Sequence, residues 1–129
     1  MEAEKKPSLY ERLGGAFKIA ILMDDFIERI MSDPRLNANP RVKEANESIS
    51  KAGFKYLITE LTCWATGGPQ TYTGRGMGES HQHLMITEGE WESFMDDFQR
   101  SLEACKVRKP EQQELIELLK SWKKTIVVA

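Results

Sequence analysis

A chain of 129 residues, 40% hydrophobic and 29% charged, can bury one core but is too short to divide, so a single domain over residues 1–129 is expected. A net charge of −2 with both signs interspersed leaves no basic face for nucleic acid or anionic lipid, and no apolar run reaches the length of a membrane span. The charged start MEAEKK lacks the apolar run of a signal peptide, which points to the cytoplasm, where Cys63 and Cys105, without ligand spacing, are expected to be buried free thiols.

Helical periodicity then governs the chain. Ser8 and Glu11 form a capping box for a short first helix that Gly14 and Gly15 stop. Ile19, Leu22, Met23, Phe26, Ile27 and Ile30 recur at steps of three and four, predicting a helix over 16–31 that Asp33-Pro34 ends. Residues 34–49 turn polar and read as a long connection with short helical turns at most. Ser50 caps a second strong helix over 51–66, with Phe54, Leu57, Ile58, Leu61 and Ala65 on its buried face, until Gly67-Gly68-Pro69. Thr87 and Glu90 form another capping box, opening a helix with the stripe Trp91, Phe94, Met95, Phe98 and Leu102. Lys109-Pro110 opens the last helix, which carries Leu115, Leu118, Leu119, Trp122 and Ile126. With no β-alternation and no repeats, the fold class is all-α.

A helical bundle that needs nothing in its core would account for these stripes. It leaves unexplained the segment from Thr66 to Ile86, where Gly67, Gly68, Pro69, Gly74, Gly76 and Gly78 lead to the chain's two histidines, His81 and His83. Long irregular connections cost conformational entropy and are more often functional than idle, so this one reads as a pocket wall. An imidazole ending a constrained loop between apolar helices suits the proximal side of an iron-bearing cofactor. Zinc held by Cys63, His81, His83 and Cys105 is the competing metal reading, although the spacing lacks the paired pattern of structural zinc sites.

The same residues carry a family resemblance. SLYERLGG over Ser8 to Gly15, Asp24-Asp25-Phe26, Asp33-Pro34-Arg35-Leu36, Ala65-Thr66-Gly67-Gly68-Pro69 and Tyr72-Thr73-Gly74-Arg75, with Met77, His81, Leu84 and Ile86-Thr87, resemble a truncated haemoglobin, closest to the group I pattern. The resemblance covers nearly the whole chain. It implies a shortened globin fold in which two antiparallel helix pairs sandwich haem b, with His81 as the proximal iron ligand. His83 is not part of the motif and reads as a surface residue.

The distal side departs from the pattern. Group I members commonly follow the Asp-Asp-Phe phenylalanine with a tyrosine and carry a glutamine on the facing helix; here stand Ile27 and, counted back from Gly67, Phe54 and Ile58. The resemblance therefore implies a largely apolar distal pocket, with Tyr56 as a reserve donor should the register slip by one residue. The connection after the second helix also lacks the family's aromatic residue, leaving Leu36 to pack there. Phe26, Phe54, Ile58, Leu61, Met77 and Leu84 are expected to line the ring, together with Ile86, Phe94, Phe98, Leu115 and Leu119. Tyr72 and Arg75 are candidates for the propionates, with Lys51 and Lys55 as weaker ones. The expected function is binding of oxygen, carbon monoxide or nitric oxide by a monomer or weak homodimer. The alternative is a nitric oxide dioxygenase served by a separate reductase.

Overall fold

Side-chain caps decide where the helices begin. In the computed structural model, which describes residues 7–74, 81 and 84–127, α1 (Leu9–Arg12) starts at Ser8 with the full capping box to Glu11. Gly14 and Gly15, at φ 101° and 79°, turn the chain into α2 (Gly15–Ser32). All six apolar residues that predict α2 are buried in it.

The long irregular connection expected over 34–49 is corrected: it contains α3 (Pro34–Asn37) and α4 (Pro40–Ser48). Asp33 and Asn39 each cap a helix by accepting the N–H of Arg35 and Arg41, and each helix has proline in its first turn, where its missing N–H costs nothing. The apolar signal is faint because each helix buries one residue, Leu36 and Val42.

Ser50 caps α5 (Lys51–Ala65), which buries Leu61, Thr62 and Cys63, while Phe54, Leu57, Ile58 and Ala65 are half-buried. Thr87 and Glu90 form the second capping box at the start of α6 (Glu88–Ala104). The last expected helix is two, α7 (Lys109–Lys120) and α8 (Lys123–Ile126). Between them the backbone tightens to three-residue steps, with the Trp122 N–H on the Leu119 carbonyl at 3.0 Å and the Thr125 N–H on the Trp122 carbonyl at 3.0 Å.

Helix α2 is the centre of the fold, packed on α5 along one side and on α6 along another. Phe26 meets Phe94 and Phe98 of α6 edge-on, with ring centroids 5.0 Å apart in both pairs. Two polar contacts lie among this apolar packing: Ser101 Oγ donates to Asp25 at 2.6 Å across α2 and α6, and Thr62 Oγ1 lies 3.6 Å from Met23 Sδ across α2 and α5. The short α1 is tied to α7 by Arg12, which pairs with Glu111 and Glu114, and to the turn after α5 by the Tyr10 N–H on the Thr66 carbonyl at 2.9 Å. A Cβ at Gly68 would stand 2.8 Å from the Cys63 carbonyl oxygen and 2.6 Å from the Tyr10 ring, so only glycine lets α1 come this near.

Ile86 and Val127 form an isolated parallel bridge, with no longer strand among the described residues. Cys63 is buried as expected, whereas Cys105 is only half-buried; burial pushes both thiols up. Among the described residues no helix is long and apolar enough to cross a membrane.

Candidate functional site

His81 is helical and half-buried, and from Leu84 the chain enters α6 through a tight turn at that residue, a residue at positive φ, Met85 (55°), and the buried Ile86. Leu84 of this segment and Phe54 and Ile58 of α5 pack against the same hydrophobic core. Phe26, Ile27, Leu61, Phe98 and Leu115 are fully within the core. Phe54, Ile58, Leu84, Phe94 and Leu119 pack against that core yet stay half-exposed. A bundle that closed on itself would cover such residues, because a Phe or Leu gains the whole of its about 1.5–3 kcal/mol only when fully buried. Partly open apolar stripes on the inner sides of several helices suit a flat apolar group laid between them.

The polar candidates lie elsewhere. Tyr56 is 63% exposed and donates to Glu60 at 3.1 Å, so the one-residue slip that would turn it inward does not occur. Tyr72 stacks on the exposed Trp64, ring centroids 6.3 Å apart, on the side of α5 where Glu60 accepts both the N–H and the hydroxyl of Thr73 at 2.7 Å. Lys51 pairs with Glu28, and Lys55 with Asp24 and Glu28, which ties α5 to α2. Arg75, Met77 and His83 lie outside the described residues. No group of three His, Cys, Asp or Glu side chains suited to a metal ion occurs among the described residues, and the zinc reading also calls on His83, which lies outside them.

A second polar cluster escaped the reading of the sequence. Arg35 reaches Asp33 at 2.9 Å, Asp96 at 3.0 Å and Asp97 at 3.3 Å, fastening α3 to α6. Asp33 and Asp97 are both buried and within hydrogen-bonding reach of each other, so one carries a proton. Burial, then the Asp33 carboxylate beside it, pushes Asp97 up to about 7. Burial also opposes the charge of Asp33, but hydrogen bonds from Arg35 and Asp97 outweigh it and hold Asp33 down at about 2. The Asp97 Oδ2 atom, buried with no donor against it, is the natural seat of the proton. The only sequence signal was a pair of carboxylates on a helix face next to Phe94 and Phe98.

With this geometry in view, comparison with known proteins is decisive: the family model for bacterial-like globins matches residues 8–128. The chain belongs to the bacterial-like globin family. This globin is 32% identical over 82 residues to the group 1 truncated hemoglobin GlbN of Synechocystis, an alignment covering 64% of this chain and 61% of that protein. It is 30% identical over 80 residues to the GlbN of Mycolicibacterium paratuberculosis, covering 62% of this chain and 54% of that one. Less than two thirds of each of these relatives is thus matched. The crystal structure of truncated hemoglobin from Tetrahymena pyriformis in the Fe(III) form superposes with a TM-score of 0.79 at 19% identity, covering 95% of this chain and all of that one, which shows the truncated two-over-two globin fold. Membership of a globin family implies a haem cofactor, and apolar residues left partly open at the edge of the core fit one. Globins as a family bind diatomic gases.

Proposed function

We propose that this globin holds haem b through His81 and binds a diatomic gas at its iron, on a distal side built from Ile27, Phe54 and Ile58. The carrying observation is the placement of half-buried Phe54 and Ile58 on α5, together with a half-buried His81 at the head of the segment leading into α6. When bound, haem supplies an iron that takes one ligand from the protein and one from solution. The residues do the rest. His81 offers a neutral imidazole lone pair, and Phe54, Ile58, Phe94 and Leu119 cover the ring and exclude water. Phe26 holds Phe94 in place from behind.

The distal residues bear on which gas is held. Bound oxygen carries partial negative charge, so a missing hydrogen-bond donor forfeits about 1–3 kcal/mol, a five- to hundredfold effect on an equilibrium. Carbon monoxide and nitric oxide depend less on such a donor. Ile27 is fully buried, and the nearby Thr62 hydroxyl is already spent on the Ile58 carbonyl at 2.7 Å. This favours a gas-binding role over nitric oxide dioxygenation, which needs a persistent oxygen complex and a reductase.

The deciding experiment is the absorption spectrum of the purified protein, ferric, ferrous and ferrous with carbon monoxide, beside His81→Ala. A Soret band that moves with ligand and is lost or altered in the variant is the expected result; failure to take up haem after reconstitution would refute the proposal. Ile27→Tyr is expected to slow oxygen dissociation about five- to hundredfold while changing carbon monoxide dissociation little. Stopped-flow displacement reads both, and an unchanged oxygen rate would remove Ile27 from the distal side.

A further inference from the structure

The segment that follows His81 is anchored from three directions. Asn39, at the corner between α3 and α4, donates from Nδ2 to the Leu84 carbonyl at 2.9 Å and to a Glu90 carboxylate oxygen at 3.2 Å. That Glu90 oxygen also accepts the Thr87 backbone N–H at 2.9 Å. On the other side Ile86 bridges to Val127. Between these anchors Met85 sits at φ 55°, a conformation that a side chain without glycine's freedom adopts only when its neighbours hold it there.

The Asn39 amide can face only one way. Its Oδ1 accepts the Arg41 N–H at 2.9 Å as the cap of α4, while Nδ2 meets two acceptors. Turned over, it would set donor against donor and acceptor against acceptor. The corner that carries it is itself braced, since Asn37 donates to the Met31 carbonyl at 2.9 Å and accepts from Asn46 at 3.0 Å. Asn39 therefore joins a fixed corner of the fold to the stretch of chain that begins three residues after His81.

We infer that Asn39 is a positioning residue for His81, fixing the chain three residues beyond the histidine and with it the place of the imidazole. The inference rests on the reading of His81 as the iron ligand. Aspartate separates the two jobs of this side chain: it caps a helix as well as asparagine does, but sets a carboxylate against the Leu84 carbonyl and the Glu90 carboxylate. Serine keeps a cap and adds no charge, but its hydroxyl is too short to span the gap.

The test compares wild type, Asn39→Asp and Asn39→Ser, with and without haem, with His81→Ala as reference and far-UV circular dichroism as the check on folding. In the ferrous haem proteins the stretching band between iron and the proximal imidazole is expected to shift or broaden in both Asn39 variants. Haem transfer to a scavenging apoprotein is expected to quicken roughly tenfold. In the haem-free proteins, hydrogen exchange over residues 84–87 is expected to rise while α4 stays protected. An unchanged band in folded Asn39→Asp overturns the positioning role, whether or not exchange rises, and leaves the haem reading intact. If Asn39→Asp does not fold, Asn39→Ser decides by the same band. A wild type that takes up no haem, or a proximal band that survives in His81→Ala, overturns both.

Discussion

Truncating Phe26 to alanine is expected to lower the unfolding free energy by about 3–5 kcal/mol, a third or more of what a domain of this size commands. The ring is 2% exposed and stands edge-on to two others, Phe94 and Phe98, each pair adding about 0.5–1.5 kcal/mol beyond simple burial. Trp91 stacks in turn on Phe94, with centroids 5.4 Å apart, so the void cannot close without disturbing the whole α6 stripe. Urea unfolding should show an earlier midpoint at unchanged slope. A loss below about 1 kcal/mol would mean that α6 collapses into the space. Haem affinity should fall with stability, because Phe26 supports Phe94, one of the rings proposed above to cover the haem.

The Asp33–Asp97 pair predicts an unusual dependence on pH. The unfolded chain releases the Asp97 proton near 3.8, while the folded protein keeps it to about 7. Its stabilising contribution is therefore complete below the unfolded value and disappears as pH rises through the folded one. Between about pH 6 and pH 8 the unfolding free energy is expected to fall by about 1.4 kcal/mol from this group. Asp33 acts in the opposite sense, stabilising above about 3.8 and losing its contribution as pH falls toward 2, outside that window. Asp97→Asn puts an amide donor in place of the proton. It should flatten the decline between pH 6 and pH 8, and be more stable than wild type at the alkaline end, where wild type must hold three carboxylates around Arg35. Urea midpoints at three pH values decide it; a decline that persists in the variant belongs to another group, such as a histidine.

Much of this fold could be read from caps and spacing. Ser8 with Glu11, Ser50, and Thr87 with Glu90 marked three helix starts because each offers a side-chain acceptor just before an apolar stripe. The reading failed where burial is polar or local. Thr62 on α5 and Thr66 just past its end are buried because each hydroxyl bonds to the carbonyl four residues back, at 2.7 Å, and so needs no outside partner; hydropathy cannot register that. Asp97 is buried because Asp33 and Arg35 meet it from more than sixty residues away, a pairing no local pattern contains. Asn39 looked like one more turn residue, since its second bond runs to Leu84. His81, by contrast, stood out because glycines crowd the chain before it and helical stripes flank it.

Two oily helix faces can slide past one another by a turn at little cost, since leucine fits against isoleucine at many offsets. Asp25 with Ser101 acts as an alignment mark cut into those faces. Such a mark tells α2 which turn of α6 it must meet, and so leaves the surrounding aliphatic positions free to exchange one hydrocarbon for another over evolutionary time. That freedom accords with an architecture that superposes on a relative sharing 19% of its residues. Substituting Ile19 or Leu22 changes how well the helices fit; losing Ser101 removes one of the few signs of where they should stop.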